Sequence, residues 1–265
     1  MQLRVLVDNH TYVDQYYLGE PAVSYYIEDE GVKILFDVGY SDAFLRNAES
    51  MDIDLDDLDM LVISHGHKDH TGGLIDFFHD EVKDIELVAH PDAFRSVYDG
   101  DELISSPMNL EELEQFCTLK LSKEPVKLTE HLWFLGEIPQ LVDFEARTPN
   151  GTREDGSLDY NEDDSALVYD GDDGLYIICG CAHSGICNIC EYAKQVCGNM
   201  RIQGILGGFH LFAVDKRVKK TIDYLARSYV EELYPCHCTS FAVRSLIHQS
   251  IPVHEVGVNL ELEWK

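Results

Sequence analysis

The stretch SHGHKDHTGG, residues 64–73, decides how this chain is read. Four residues that can ligate a metal, His65, His67, Asp69 and His70, fall within six positions. They follow DMLVISHGH (59–67), an apolar run that reads as a buried strand opening into a loop. Loops at strand ends are where α/β proteins build their sites. Imidazole and carboxylate suit zinc, iron or manganese. The i, i+2 spacing lets an extended loop aim His65 and His67 the same way. Asp69 and His70 then turn toward a second position about 3.5–4 Å away, which is a two-metal arrangement. This is not the helical HExxH spacing of metalloproteases.

Working outward, the first half alternates strands and helices. LRVLVD (3–8), AVSYYIE (22–28) and KILFDVG (33–39) are β-branched and aromatic runs separated by turn residues. Ser41 opens a helix over 41–50, Gly72-Gly73 leads into a second, IELVAHP (85–91) is a strand, and Asn109 caps a helix over 110–117. Residues 145–164, EARTPNGTREDGSLDYNEDD, are polar and acidic and read as a long exposed loop. Beyond it come strands at 166–170, 175–180, 202–208 and 232–236, helices at 185–197, 215–228 and 240–249, and terminal strands near 253–256 and 259–263. Two strand sets flanked by helices, within one domain over 1–265, predict an α/β sandwich.

Composition narrows the function. Lys plus Arg is 20 and Asp plus Glu is 49, a net charge of −29. Affinity for nucleic acid comes largely from Lys and Arg on phosphates, so no nucleic-acid partner is expected. The short basic run Lys216-Arg217 with Lys219-Lys220 sits on an expected helix. With 45% apolar and 26% charged residues the chain has globular composition, which excludes wholesale disorder. No apolar run approaches the ~18–20 residues of a membrane span, and the start, MQLRVLVDNH, lacks the regions of a signal peptide. A cytoplasmic protein with no membrane partner is expected. Its eight cysteines are then expected as thiols.

SHGHKDHTGG resembles the HxHxDH signature of the metallo-β-lactamase fold superfamily. KILFDVG resembles the strand and Asp-x-Gly turn that precede that signature. The resemblance implies an αββα sandwich of two mixed sheets with helices outside. FDVGYSDAFLRNAESMDIDLDDLDMLVISHGHKDHTGGL, GEIP at 136–139 with Phe144-Glu145, GCAHSGI at 180–186, GGFHL at 207–211 and PCHCTS at 235–240 are together similar to one subgroup, named for dihydropterin-methyl-ribofuranosylaminobenzene phosphate synthase.

The resemblance also implies further ligands. The position of the superfamily's third-motif ligand holds Asp163 or Asp164 instead of histidine. Cys181 stands where a bridging Asp would be, with His183 two residues on. His183, Cys181 or both are expected to ligate, since a coordinating thiol is deprotonated by the metal's charge. His210 and His237 match positions of a last ligand or a catalytic histidine; one is expected to bind metal and the other to contact substrate or move a proton. Asp37 is expected either to hydrogen-bond a ligating histidine or to serve the turn. His90 and the remaining histidines, 10, 79, 131, 248 and 254, are expected to be structural or exposed. Cys187 and Cys190 read as small buried helix residues, or as a redox pair. Cys236 and Cys238 read as packing residues, and Thr239-Ser240 as a helix cap or a phosphate site.

The expected function is hydrolysis by hydroxide bound to two divalent ions, zinc first, with manganese or iron as alternatives. Asp69 would orient the nucleophile, with His210 and His237 beside it. The substrate would be a small anionic metabolite, phosphorylated or ester-containing. The alternatives are a pterin-pathway synthase like the resembled subgroup, or a di-iron redox enzyme on the same fold.

Overall fold

The computed structural model describes residues 1–79 and 81–265. The chain divides into two compact units, residues 1–123, 149–163 and 257–263 in the first, and 124–148, 164–256 and 264–265 in the second.

The first unit is built on a seven-stranded mixed sheet. Its order is Glu261–Glu263, Gln2–Val7, Ser24–Asp29, Val32–Phe36, Met60–Val62, Glu86–Ala89 and Thr118–Leu121. The first four strands pair antiparallel, and the last four run parallel. The helix Ala43–Ser50 buries Phe44 and Ala48, and the short helix Leu74–Phe78 buries Leu74, Phe77 and Phe78. These close one core with Leu35, Leu61 and Leu87 of the sheet. Burying each such side chain stabilises the fold by roughly 1.5–3 kcal/mol. A small sheet of Thr152–Arg153, Val97–Asp99 and Glu102–Leu103 stands apart from the main one.

The second unit carries a six-stranded sheet in the order Glu232–Cys236, Ile202–Gly208, Gly174–Cys179, Ala166–Gly171, Leu132–Phe134 and Val126–Lys127. Its first three strands are parallel, with Cys179 opposite Gly207 and Gly208 opposite Cys236. Their C-terminal ends therefore lie along one edge. The helix Ile186–Cys197 buries Ile186, Ile189, Cys190 and Ala193, an i, i+3, i+4, i+7 stripe. Lys216–Arg227 repeats that stripe with Val218, Thr221, Ile222 and Leu225, and Asp215 caps it by accepting from the Val218 N–H.

The sequence reading places most of these elements within two or three residues. It gave no strand at Val97–Asp99, Thr118–Leu121 or Leu132–Phe134. These pieces are short, at three or four residues, and only their pairing partners make them strands. The stretch 145–164 corrects the reading. Thr152–Arg153 pairs with Val97–Asp99, and Glu145, Asp159, Asn161, Asp163 and Asp164 are buried. Polar residues suggest solvent, but here they meet hydrogen-bond partners on loops distant in sequence. No described helix is long and apolar enough to cross a membrane.

Candidate metal centre

In the first unit the site starts from two parallel strands. Val32–Phe36 ends at Asp37, and Met60–Val62 runs into Ser64 and the histidine loop. Asp37 is fully buried, with φ at 60°. Its Oδ1 accepts the Ser64 N–H at 2.7 Å, and its Oδ2 accepts the Ser64 hydroxyl at 2.7 Å. His70 Nδ1 lies 2.7 Å from the same Oδ2. A carboxylate can only accept, so Nδ1 carries the proton and Nε2 presents its lone pair. His70 Nε2 in turn lies 3.6 Å from Asp69 Oδ2.

The neighbouring rings gather around it. His65 Nδ1 is 3.0 Å from the Ser64 hydroxyl, and its ring centroid is 4.2 Å from that of His70 and 4.8 Å from that of His67. Gly66 between them has no room for a side chain: a Cβ there would sit 1.9 Å from the Ala93 carbonyl oxygen. The Gly66 N–H donates to Asp163 Oδ2 at 2.7 Å. The Lys68 N–H donates to the Ile104 carbonyl, and His67 bridges to Ser105, so the short helix Lys68–Thr71 starts from a fixed point. A cavity of about 420 Å³ opens beside it, lined by His67, Asp69, Asp99, Ile104, Asn150 and Gly151 with Pro149.

In the second unit the parallel strands deliver the remaining candidates to one edge. Gly174–Cys179 leads to Cys181 and His183, Ile202–Gly208 to His210, and Glu232–Cys236 to His237. Ala182, His210 and His237 hold φ at 44°, 50° and 48°. Left-handed residues other than glycine are uncommon and gather at functional turns. One ligand atom each from Cys181, His183 and His210 lie within 4.8 Å of one another, and the His183 and His210 rings are 4.2 Å apart. Two imidazoles and a thiol make a donor set that fits zinc. His237 follows the adjacent strand and lies outside this trio.

Buried carboxylates hold this edge. The Ser184 N–H donates to Asp164 Oδ2 at 2.8 Å, and burial pushes the Asp164 carboxyl above its usual range. Glu145 Oε2 accepts the Cys187 and Asn188 N–H groups at 2.8 and 3.0 Å, capping the helix Ile186–Cys197 from a distant loop. Gly185, at φ 94°, lets that carboxylate approach; a Cβ would lie 2.4 Å from Oε2. Burial raises the Glu145 carboxyl, against the hydrogen bonds it accepts and the charge of Arg217.

Several expectations change on this geometry. Cys238 is more than packing: its sulfur accepts the His210 N–H at 3.3 Å. Burial alone would raise this thiol, but hydrogen bonds from Cys181 and His210 and the charges of His237 and His210 hold it well below the ordinary thiol range. Cys236 is buried. Cys187 and Cys190 are buried thiols pushed up by desolvation, the inert condition for a cysteine. Ser240 is an ordinary cap, accepting the Val243 N–H. His90 is buried and accepts the Asp92 N–H, and His10, His79, His131, His248 and His254 are exposed. Among the described residues no cysteine is in a disulfide. Sequence reasoning missed Asn161, whose carboxamide Nδ2 lies 3.0 Å from His67 Nε2. Inside the polar run DYNEDD nothing marks it.

The family model of the metallo-beta-lactamase superfamily matches residues 18–194. The chain belongs to the metallo-beta-lactamase superfamily. It is 31% identical over 250 residues to an uncharacterised protein of Methanocaldococcus jannaschii, covering 93% of this chain and 94% of that one. It is also 31% identical over 236 residues to the 7,8-dihydropterin-6-methyl-4-(beta-D-ribofuranosyl)-aminobenzene-5'-phosphate synthase of the same organism, covering 83% and 80%. Among solved structures, a metal-dependent hydrolase of the beta-lactamase superfamily matches with a TM-score of 0.82 at 28% identity, over 99% of this chain and 98% of that one. The fold is therefore the α/β fold of that superfamily, whose members are mostly metal-dependent hydrolases.

Proposed function

We propose that this protein is a metal-dependent hydrolase of a small anionic metabolite, phosphorylated or ester-containing, working with two divalent cations, zinc foremost. The observation that carries this is the Asp37–His70 hydrogen bond at 2.7 Å, which turns the lone pair of a buried histidine toward Asp69. A histidine serving only the fold has no need of that orientation. His65, His67, Asp69 and His70 are the donors the first unit offers, and Cys181, His183, His210 and His237 those of the second. Bound divalent cations would lower the pKa of a water and stabilise developing negative charge. Asp69, as an anion beside the ring of His70, would orient the attacking water. His210 or His237 would carry a proton at a ring nitrogen for transfer.

Two features support the substrate class. The cavity beside His67 and Asp69, about 420 Å³, suits a small molecule. The −29 charge repels nucleic acid and anionic membrane surfaces, and two bound cations would attract a small anion locally. A role in pterin biosynthesis is the second reading, favoured by 31% identity to the synthase named above. Elemental analysis of protein purified without added metal tests the primary reading, together with turnover of phosphodiester and carboxylic-ester probes. About two zinc or manganese per chain, and activity lost in His67→Ala, are expected. About two iron per chain with an absorbance change on reduction would move the assignment to redox chemistry, and failure to take up any metal would refute it.

A further inference from the structure

The chain has eleven phenylalanines, and all but two are buried or partly buried. The two exceptions are Phe212, 60% exposed, and Phe241, 78% exposed. They follow His210 and His237 by two and four residues, at the ends of neighbouring parallel strands of the second unit. Val214, also exposed, lies two residues beyond Phe212. A phenyl ring left in water forgoes the gain from burial, and grouped exposed apolar side chains mark binding surfaces.

The backbone fixes both residues relative to the candidate donors. The Phe209 N–H donates to Thr239 Oγ1 at 2.9 Å, the Leu211 N–H to the Cys238 carbonyl at 3.2 Å, and the Ser240 N–H to the Leu211 carbonyl at 3.0 Å. The turn after His210 and the turn after His237 are therefore one hydrogen-bonded piece. Phe212 and Phe241 each leave it one residue beyond its last bond. The Phe212 ring meets the His210 ring edge to face, with centroids 4.8 Å apart and planes at 81°, a favoured aromatic geometry. The His210 ring lies 4.2 Å from that of His183. Phe212 thus borders the trio of Cys181, His183 and His210.

We propose that Phe212 and Phe241 determine specificity by packing against an aromatic ring of the substrate, whose anionic group meets the cation held by Cys181, His183 and His210. The inference rests on the metal-dependent reading above and gives it a substrate class, an aryl-bearing anion. Ligand sites combine apolar walls with a few polar groups that fix orientation. Here the polar groups are the metal donors, and the apolar walls are the two phenyl rings. A substrate without an apolar body would leave both rings in water. Flat rings gain most from phenyl side chains, since ring pairs attract beyond the area they bury. A second copy of the chain is a poorer occupant, because each copy carries a charge of −29 and like charges repel.

Two phosphonates test this without turnover. Phenylphosphonate and methylphosphonate share the anionic group and differ in the ring, and neither has an ester to hydrolyse. Calorimetric titration of zinc-loaded protein gives the affinity of each. Wild type is expected to hold phenylphosphonate about tenfold more tightly than methylphosphonate. A Phe212→Ala/Phe241→Ala double variant should bring that ratio to within about twofold, and Phe212→Tyr/Phe241→Tyr should keep it. Both sites are exposed, so the substitutions carry little risk to the fold. The ratio also separates ring packing from a structural effect, since a displaced His210 would weaken both phosphonates alike. If zinc-loaded wild type binds the two alike or binds neither, or if the ratio survives loss of both rings, the inference fails alone. A ratio that survives while the double variant converts a dimer to a monomer in sedimentation would assign the rings to an interface between copies. If wild type takes up no zinc, the metal-dependent reading fails and the inference with it.

Discussion

Replacing Asp37 separates the orientation of His70 from the integrity of the fold. Asp37 receives three hydrogen bonds in a fully buried setting: the Ser64 N–H on Oδ1, and the Ser64 hydroxyl and His70 Nδ1–H on Oδ2. Asn at this position must keep its oxygen on the backbone N–H of Ser64, which cannot move. Its NH2 then faces His70 Nδ1, and the ring accepts there by carrying its proton on Nε2, the nitrogen a metal requires. Loss of such a supporting hydrogen bond typically weakens metal binding about 10–100-fold, or about 1.4–2.7 kcal/mol. Asp37→Ala does something different. It leaves two fixed buried N–H groups without acceptors, at about 1–3 kcal/mol each. An alanine at φ 60° adds about 1–2 kcal/mol. The total of about 3–8 kcal/mol is a large part of the roughly 5–15 kcal/mol that holds a domain folded. Zinc competition and urea unfolding on the metal-free proteins read the two effects separately. Asp37→Asn is expected to lose one zinc equivalent while unfolding close to wild type, and Asp37→Ala to be destabilised outright. An Asp37→Asn protein that binds both equivalents with wild-type affinity would refute the argument from the tautomer.

Gly66→Ala is expected to abolish metal binding and cost more than about 3 kcal/mol, because its Cβ would lie 1.9 Å from the Ala93 oxygen; soluble yield and zinc titration check it. Cys181→Ser should remove the thiolate-to-cobalt charge-transfer absorption from a cobalt-loaded protein, and its persistence would assign that band to another cysteine. The Glu145 carboxyl, raised by burial, binds its proton more tightly folded than unfolded. Stability therefore falls as pH rises from the ordinary glutamate range toward the folded value. Glu145→Gln can keep the bonds from Cys187 and Asn188 through its oxygen, so its stability relative to wild type should increase between about pH 5 and about pH 8; urea midpoints at the two values decide it. Chelation of bound metal should lower the melting temperature of wild type, and lower that of a His65→Ala/His67→Ala double variant by less, since Cys181, His183 and His210 remain as donors.

The first unit's candidate donors were legible because they are local. His65, His67, Asp69 and His70 lie within six residues at the end of an apolar strand, and a local pattern survives any arrangement of the rest. His210 and His237 were recognisable as ends of strands in Gly- or Cys-containing turns, and Cys181 and His183 only through the resemblance to the superfamily. Their meeting at one edge required three strands to run parallel, a pairing between segments about 30 residues apart. The reading of 145–164 as exposed holds for 154–158 but fails at Glu145, Asp159, Asn161, Asp163 and Asp164, for a related reason. Its acidic and amide residues are indistinguishable by composition from solvated ones, and only their partners show that they are buried.

By itself the sequence determined the alternation of strands and helices, the position of the histidine loop, and the net acidity, since each follows from periodicity, spacing or charge along the chain. Tertiary structure decided which nitrogen of His70 keeps its lone pair, that Asp163 braces Gly66 across 97 positions, and that Asn161 reaches His67 across 94. Those are hydrogen bonds of fixed length and direction between distant segments, and no local preference of the backbone encodes them.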